Sequence, residues 1–176
     1  HLAPLIAARG VLDTKGLRRL LEERVDMRKI CGSEIPFFVA AHDCAENRAN
    51  YFRINDQQPS TAREMILASA ALPCIFPPVP VDGRDYSDGG WHLIPGRRLD
   101  NTPIEPLHKA GCSVIIAVML SRDEQIDRSR FRGTVILPIA PTADLGGIVD
   151  GVLDTSVEGA RRRIEMGYAD ATRVLD

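Results

Sequence analysis

The sequence has few cysteines, no excess of charge of either sign and no long apolar run. Its four cysteines are scattered over 176 residues, too few and too far apart for the disulfide framework of a small secreted domain. The 22 basic and 24 acidic residues leave a net charge of −2, which argues against a nucleic-acid-binding surface. No stretch approaches the roughly 20 apolar residues that cross a bilayer. These absences indicate a globular domain that binds no nucleic acid, and no metal or other cofactor is predicted.

What the sequence does contain is an alternation of helical and strand-like segments. Apolar residues spaced by three or four favour helices, whereas short continuous or alternating apolar runs favour strands. The predicted helices cover residues 13–25, 61–71, 102–110 and 155–174, and the predicted strands cover 35–41, 51–54, 79–81, 85–86, 113–120 and 135–137. This order predicts an α/β domain, a three-layer sandwich with a mostly parallel central sheet.

Four of these segments carry sharper predictions. Ser60 is expected to cap the second helix, and Asp82-Gly83 is expected to form a hairpin turn. The apolar run 113–120 should be buried on both faces, as in the middle of a parallel sheet. One stripe of the last helix should face the core, and it consists of Val157, Ala160, Ile164, Tyr168 and Ala171.

Asp88-Gly89-Gly90 is the motif with the clearest chemical meaning, although Asp-Gly pairs are also common in ordinary turns. Two consecutive glycines allow positive φ and leave no side chain to obstruct a neighbouring group. A carboxylate on such a turn can face a reacting hydroxyl while backbone amides hydrogen-bond it. Asp88 is therefore a candidate base or orienting group for a serine nucleophile, or else a turn residue without a catalytic role.

Several segments, in this order, resemble the C-terminal half of a patatin-like phospholipase domain. Ala-Ser-Ala-Ala-Leu-Pro at 68–73 leads to Phe-Pro-Pro-Val at 76–79, and Asp-Gly-Gly at 88–90 and Asn-Thr-Pro-Ile at 101–104 follow. Residues 38–43 are similar to an upstream strand of that family, and residues 167–171 to its closing helix. The resemblance covers nearly the whole chain. It implies that residues 1–176 are the C-terminal portion of one patatin-like domain, incomplete on its N-terminal side.

The resemblance also implies an activity, the hydrolysis of lipid acyl esters by a Ser–Asp dyad without a cofactor. Asp88 would be the dyad aspartate. It would accept the serine proton directly, or it would orient the serine hydroxyl. In that family the serine lies in G-x-S-x-G and a glycine-rich turn supplies the oxyanion hole, but neither pattern occurs in these 176 residues. We therefore expect the serine to come from an N-terminal portion of the same protein, and this chain alone to be inactive. The substrate would be a phospholipid, a lysophospholipid or another acyl ester.

Between the Asp-Gly-Gly and Asn-x-Pro motifs the sequence departs from the family, with an insertion that runs from Trp91 to Arg98. Trp91, Arg97 and Arg98 suit a lipid interface or a phosphate headgroup, and with Gly89 and Gly90 they are the predicted substrate-binding residues. The alternative is an ordinary surface loop whose tryptophan packs on the domain. The expected location is the cytoplasm or the surface of a membrane, through peripheral contact.

Two other functions remain open from the sequence. One is a non-catalytic module that keeps the patatin-like shape and binds lipid or a protein partner. The other is an acyltransferase, which would pass the acyl group to an acceptor other than water. Composition does not separate these from a hydrolase.

Overall fold

The computed structural model of the chain describes residues 10, 12–90, 100–146, 151, 154 and 156–176. The chain divides into two compact units, His1–Pro103 and Ile104–Asp176. It is an α/β protein with one antiparallel sheet and one parallel sheet. The predicted class is confirmed, but the described strands do not form a single, mostly parallel central sheet.

The first unit combines helices with a four-stranded sheet. Its described elements are α1 (Lys15–Arg24), α2 (Met27–Cys31), β1 (Phe38–Asp43), β2 (Arg48–Arg53), α3 (Pro59–Ser69), β3 (Val79–Val81) and β4 (Arg84–Asp88). The strand order is β2-β1-β4-β3, and every neighbouring pair is antiparallel. The connections explain this departure from the predicted parallel sheet. Residues 44–47 join β1 to β2 and residues 82–83 join β3 to β4, and turns this short can link only antiparallel strands.

Local chemistry sets two boundaries in this unit. The hairpin prediction is confirmed, because Asp82 and Gly83 both have positive φ, 49° and 78°, as a mirror-image two-residue turn requires. Helix α3 begins at Pro59 with Gln58 as its N-cap, so the prediction of Ser60 as the cap was wrong. Proline is favoured at the first helical position because its fixed φ suits the helix and its missing N–H has no partner there.

The core of the first unit lies between α3 and the sheet. Ala62 and Leu67 of α3 and Ala41 of β1 have no exposed surface, and Tyr86 of β4 stacks edge-on against Phe52 of β2 with ring centroids 4.9 Å apart. The packing holds the C-terminal end of α3 next to the end of β4. That junction positions the candidate site.

The second unit contains a two-stranded parallel sheet. Its described elements are α4 (Glu105–Lys109), β5 (Val114–Val118), β6 (Val135–Ile139) and α5 (Val157–Leu175), with a short 3-10 helix at Arg128–Arg130. Strand β5 alternates, with Ile115 and Ala117 buried while Val118 is 70% exposed. The prediction that this run is buried on both faces was therefore wrong, because only one face of β5 packs against its neighbours in this unit.

Helix α5 packs with a different face from the predicted one. Gly159 and Asp170 are its buried residues, and Asp170 accepts a 2.7 Å hydrogen bond from the hydroxyl of Thr142. Most of the predicted core stripe is exposed instead, including Ile164 and Tyr168, and its Ala171 is half-buried. The helix is thus attached through a small residue and a hydrogen-bonded carboxylate rather than through its apolar stripe.

Candidate active site

Asp88 is the last residue of β4, at the edge of the junction with α3. It lies opposite Ala41 of β1, and its backbone N–H donates a 2.8 Å hydrogen bond to the carbonyl of Ala71, just after α3. The N–H of Gly90 donates a 2.8 Å hydrogen bond to Oδ1 of Asp88. The carboxylate is half-buried and oriented from its own turn, so the turn arranges a charged acceptor at a defined position.

Of the two glycines, the second is needed for space, and neither is needed for φ. Neither Gly89 nor Gly90 has φ in the left-handed region, so the sequence argument from positive φ does not apply here. A Cβ on Gly90 would lie 2.1 Å from Oδ1 of Asn101, closer than any real contact. A Cβ on Gly89 would meet the carbonyl oxygen of Ala40 at 3.4 Å, an ordinary contact. The close approach of Asn101 therefore depends on the second glycine.

These residues surround a cavity of about 260 Å³ in the first unit. Its walls come from the start of β1, the end of α3, the Asp-Gly-Gly turn and the segment that follows the insertion. The polar side chains of the lining belong to Ser69, Asp88, Asp100 and Asn101, and Gly90 lies beside them. The structure thus brings the Asp-Gly-Gly motif and the Asn-x-Pro motif together, as well as the Ala-Ser-Ala-Ala segment.

Ser69 and Asp100 also line the cavity, and sequence reasoning did not single them out. The hydroxyl of Tyr51 in β2 donates a hydrogen bond to Asp100, and the N–H of Asp100 donates to the carbonyl of Gly89 at 3.1 Å. Ser69 could have been found from sequence, because it belongs to the Ala-Ser-Ala-Ala segment that resembles the family. No sequence pattern pointed to Asp100, because its partner Tyr51 is on a strand distant in sequence.

The described lining contains carboxylates, a hydroxyl and an amide, and no histidine, lysine or arginine. A carboxylate is therefore the group in this lining that can accept a proton from a hydroxyl nucleophile. Asp100 is engaged by the phenol of Tyr51, whereas Asp88 is oriented by a backbone amide. Both aspartates meet this chemical requirement.

Asp43, on the strand next to β4, has a structural role. Its side chain is 2% exposed and accepts hydrogen bonds from the N–H groups of Ala45 (3.0 Å) and Glu46 (2.9 Å) and from Arg84 (3.2 Å). These bonds, the one from Glu46 first, hold the pKa of the Asp43 carboxyl below its usual range despite the opposing effect of burial. It caps the turn between β1 and β2.

Three of the predicted substrate-binding residues, Trp91, Arg97 and Arg98, lie outside the described residues. Within the described part of the chain, no group of three His, Cys, Asp or Glu side chains is arranged to hold a metal ion. In the same part, no helix is both long and apolar enough to span a bilayer.

Comparison with known proteins adds one match to this geometry. A family model described as patatin-like phospholipase matches residues 2–108, more than half of the chain. The chain belongs to the patatin-like phospholipase family. The match includes the residues that line the cavity and the Asp-Gly-Gly turn. It ends before α5, so the resemblance of that helix to the closing helix of the family stays a prediction. No curated protein matches the chain.

Proposed function

We propose that this patatin-like chain supplies the aspartate of a Ser–Asp dyad in a lipid acyl hydrolase, and that Asp88 is that aspartate. The observation that carries the proposal is the position of its carboxylate. It is half-buried in the cavity, oriented by the N–H of Gly90, and within the residues that match a family of lipid acyl hydrolases. Gly89, Gly90, Trp91, Arg97 and Arg98 remain the proposed substrate-binding residues.

The proposed chemistry is acyl transfer to serine and then to water. The serine oxygen attacks the ester carbonyl, and its proton passes to Asp88 and then to the departing alkoxide, or Asp88 orients the hydroxyl while the proton passes straight to that alkoxide. The tetrahedral intermediate collapses as the alcohol leaves with a proton, which gives an acyl-enzyme. Water then attacks the acyl-enzyme, releases the fatty acid and restores the serine. Backbone donors at the oxyanion would supply much of the rate.

We further propose that the serine and the oxyanion-binding turn belong to an N-terminal portion of the same protein. The support is that neither G-x-S-x-G nor a triple glycine occurs in the sequence, while the aspartate side of the site is present. On this proposal residues 1–176 are the C-terminal portion of one patatin-like domain, and the complete domain is a three-layer sandwich with a mostly parallel central sheet. The parallel pairing of β5 with β6 is consistent with such a sheet.

The decisive experiment replaces Asp88 with Asn in the complete protein. Hydrolysis of acyl esters should fall on the order of 10³-fold or more, because the acceptor of the serine proton is lost. Asp85→Asn is the matched control, since Asp85 lies on the same strand but is exposed and does not line the cavity. A fluorophosphonate probe should label the complete protein and leave this chain alone unlabelled.

The other outcomes are equally informative. Retained activity in Asp88→Asn would remove Asp88 from the mechanism. Labelling of a serine within this chain would place the nucleophile here. Lipid binding without any hydrolysis would favour the binding module, and transfer of the acyl group to an added alcohol in preference to water would favour an acyltransferase.

A further inference from the structure

A second, apolar groove lies before β1 in the first unit. It has a volume of about 380 Å³ and is lined by Lys29, Ile30, Ser33, Ile35, Pro36 and Phe37. The segment Ile35-Pro36-Phe37, here called the 35–37 loop, projects apolar side chains into solvent, with Ile35 77% and Phe37 39% exposed. Adjacent exposed apolar side chains of this size mark interaction sites more often than scattered single ones do.

The 35–37 loop is held in place by a buried amide. The side chain of Asn55 is 3% exposed, and its Nδ2 donates to the carbonyls of Ser33 (2.8 Å) and Ile35 (2.9 Å). Its Oδ1 accepts a 2.7 Å hydrogen bond from the N–H of Phe37. One side chain thus fixes both ends of the loop, so the exposure of its apolar side chains is built into the fold.

Positive charge lies next to this loop. Arg28 and Lys29 occupy the last turn of α2, both are exposed, and neither forms an ion pair with another described residue. The segment 27–37 contains one acid, Glu34, against these two cations. Exposed apolar side chains beside unpaired cations fit an anionic lipid surface, where the former enter the acyl boundary and the latter meet phosphates.

The groove is also close to the candidate active site along the chain. Strand β1 begins at Phe38, which lines the Asp88 cavity, directly after Phe37, which lines the groove. Ala40, another cavity residue, follows Phe37 by three positions, roughly 10 Å along a strand. A lipid surface at the 35–37 loop would therefore lie close, along the chain, to residues that line the cavity.

We propose that the 35–37 loop inserts into an anionic lipid surface while Arg28 and Lys29 contact lipid phosphates. This rests on the proposed function, in that it brings a lipid substrate to the cavity containing Asp88. The loop supplies the apolar contact, Asn55 keeps the loop rigid, and the two cations select surfaces that contain acidic lipids.

The test measures binding of the complete protein to phosphatidylcholine vesicles prepared with and without phosphatidylglycerol. Ile35→Ser should weaken binding roughly tenfold, because the apolar area that it would bury is lost. Lys29→Gln should weaken binding about fivefold, only on vesicles that contain phosphatidylglycerol, and added salt should reduce the difference. Ile164→Ser is the matched control, since Ile164 is 72% exposed on α5.

Three results would overturn the proposal: no binding of the unmodified protein, equal binding to the two kinds of vesicle, or an equal loss with Ile164→Ser. Binding of Asp88→Asn distinguishes this proposal from the proposed function, because vesicle binding requires no catalysis. If Asp88→Asn keeps both esterase activity and binding, the dyad proposal fails while the docking proposal stands. If Asp88→Asn loses only activity while Ile35→Ser binds normally, the docking proposal fails alone.

Discussion

Replacement of Gly90 by alanine tests whether the approach of Asn101 to the Asp-Gly-Gly turn matters for catalysis. The new Cβ would lie 2.1 Å from Oδ1 of Asn101, whereas ordinary contacts begin near 3.4 Å, so the amide must move by about 1.3 Å. A displacement of about 1 Å in a positioning group can cost roughly 100-fold in rate. The displaced atom is the end of a side chain and φ of Gly90 is not in the left-handed region, so stability should change little.

The assay is kcat/KM of the complete protein for a short-chain ester, together with the melting temperature. Gly16→Ala is the control, because Gly16 lies in α1 outside the cavity and its Cβ would meet nothing within 4 Å, so kcat/KM should stay nearly unchanged. In an Asn101→Ala background, Gly90→Ala should cost little more, since the overlap has been removed. Full activity in Gly90→Ala, or an equal loss in Gly16→Ala, would refute this account of the turn.

Three further predictions concern stability. Asp43→Asn should cost about 1–3 kcal/mol at neutral pH. The pKa of Asp43 is lowered in the folded state, so its contribution to the free energy of unfolding is present above its unfolded pKa of about 4 and is lost as the pH falls through the folded pKa. Chemical denaturation of the variant should therefore show a shallower loss of stability in acid. Asn55→Ala should lower the free energy of unfolding by roughly 2 kcal/mol or more, because buried backbone groups of the 35–37 loop lose their partners. An unchanged free energy of unfolding would show that water replaces the amide. Gly83→Ala should cost about 1–2 kcal/mol in the same measurement, since φ is +78° there, and no cost would contradict the assigned turn.

Local features of this fold were predictable from sequence because neighbouring residues determine them. Asp82-Gly83 predicts its own hairpin turn through the φ values that the turn demands. The antiparallel order of the first sheet was less predictable, since β1 pairs with β4, a strand that is distant in sequence. The same limit applies to α5, where apolar periodicity indicated a core face but Asp170 and Gly159 form the buried one. Periodicity identifies an apolar stripe, and it does not determine whether a partner covers that stripe.

The residues of the candidate site likewise include some that the sequence predicts and some that it does not. Asp88 was identifiable because its motif is contiguous, whereas Asp100 enters the cavity through a hydrogen bond from Tyr51 on β2. Of the two reasons for a glycine at position 90, positive φ was wrong, and the absence of a side chain that would obstruct a neighbour is confirmed by the approach of Asn101. Functional residues that are neighbours in the sequence can thus be predicted from it, whereas the residues that surround them in space are known only from the fold.

Asp43 and Asp88 have similar sequence positions, and their burial distinguishes a structural aspartate from a candidate catalytic one. Each is an aspartate at the C-terminal end of a strand, and the two strands are hydrogen-bonded neighbours. Asp43 is 2% exposed, and its oxygens are engaged by two backbone amides and Arg84, so accepting a proton there would break bonds that hold the turn. Asp88 is half-buried and lines a cavity, where the amide of Gly90 donates to its Oδ1. On the proposed function, an incoming hydroxyl can approach Asp88 from the cavity, whereas Asp43 is enclosed, and this accessibility favours Asp88 as the acceptor.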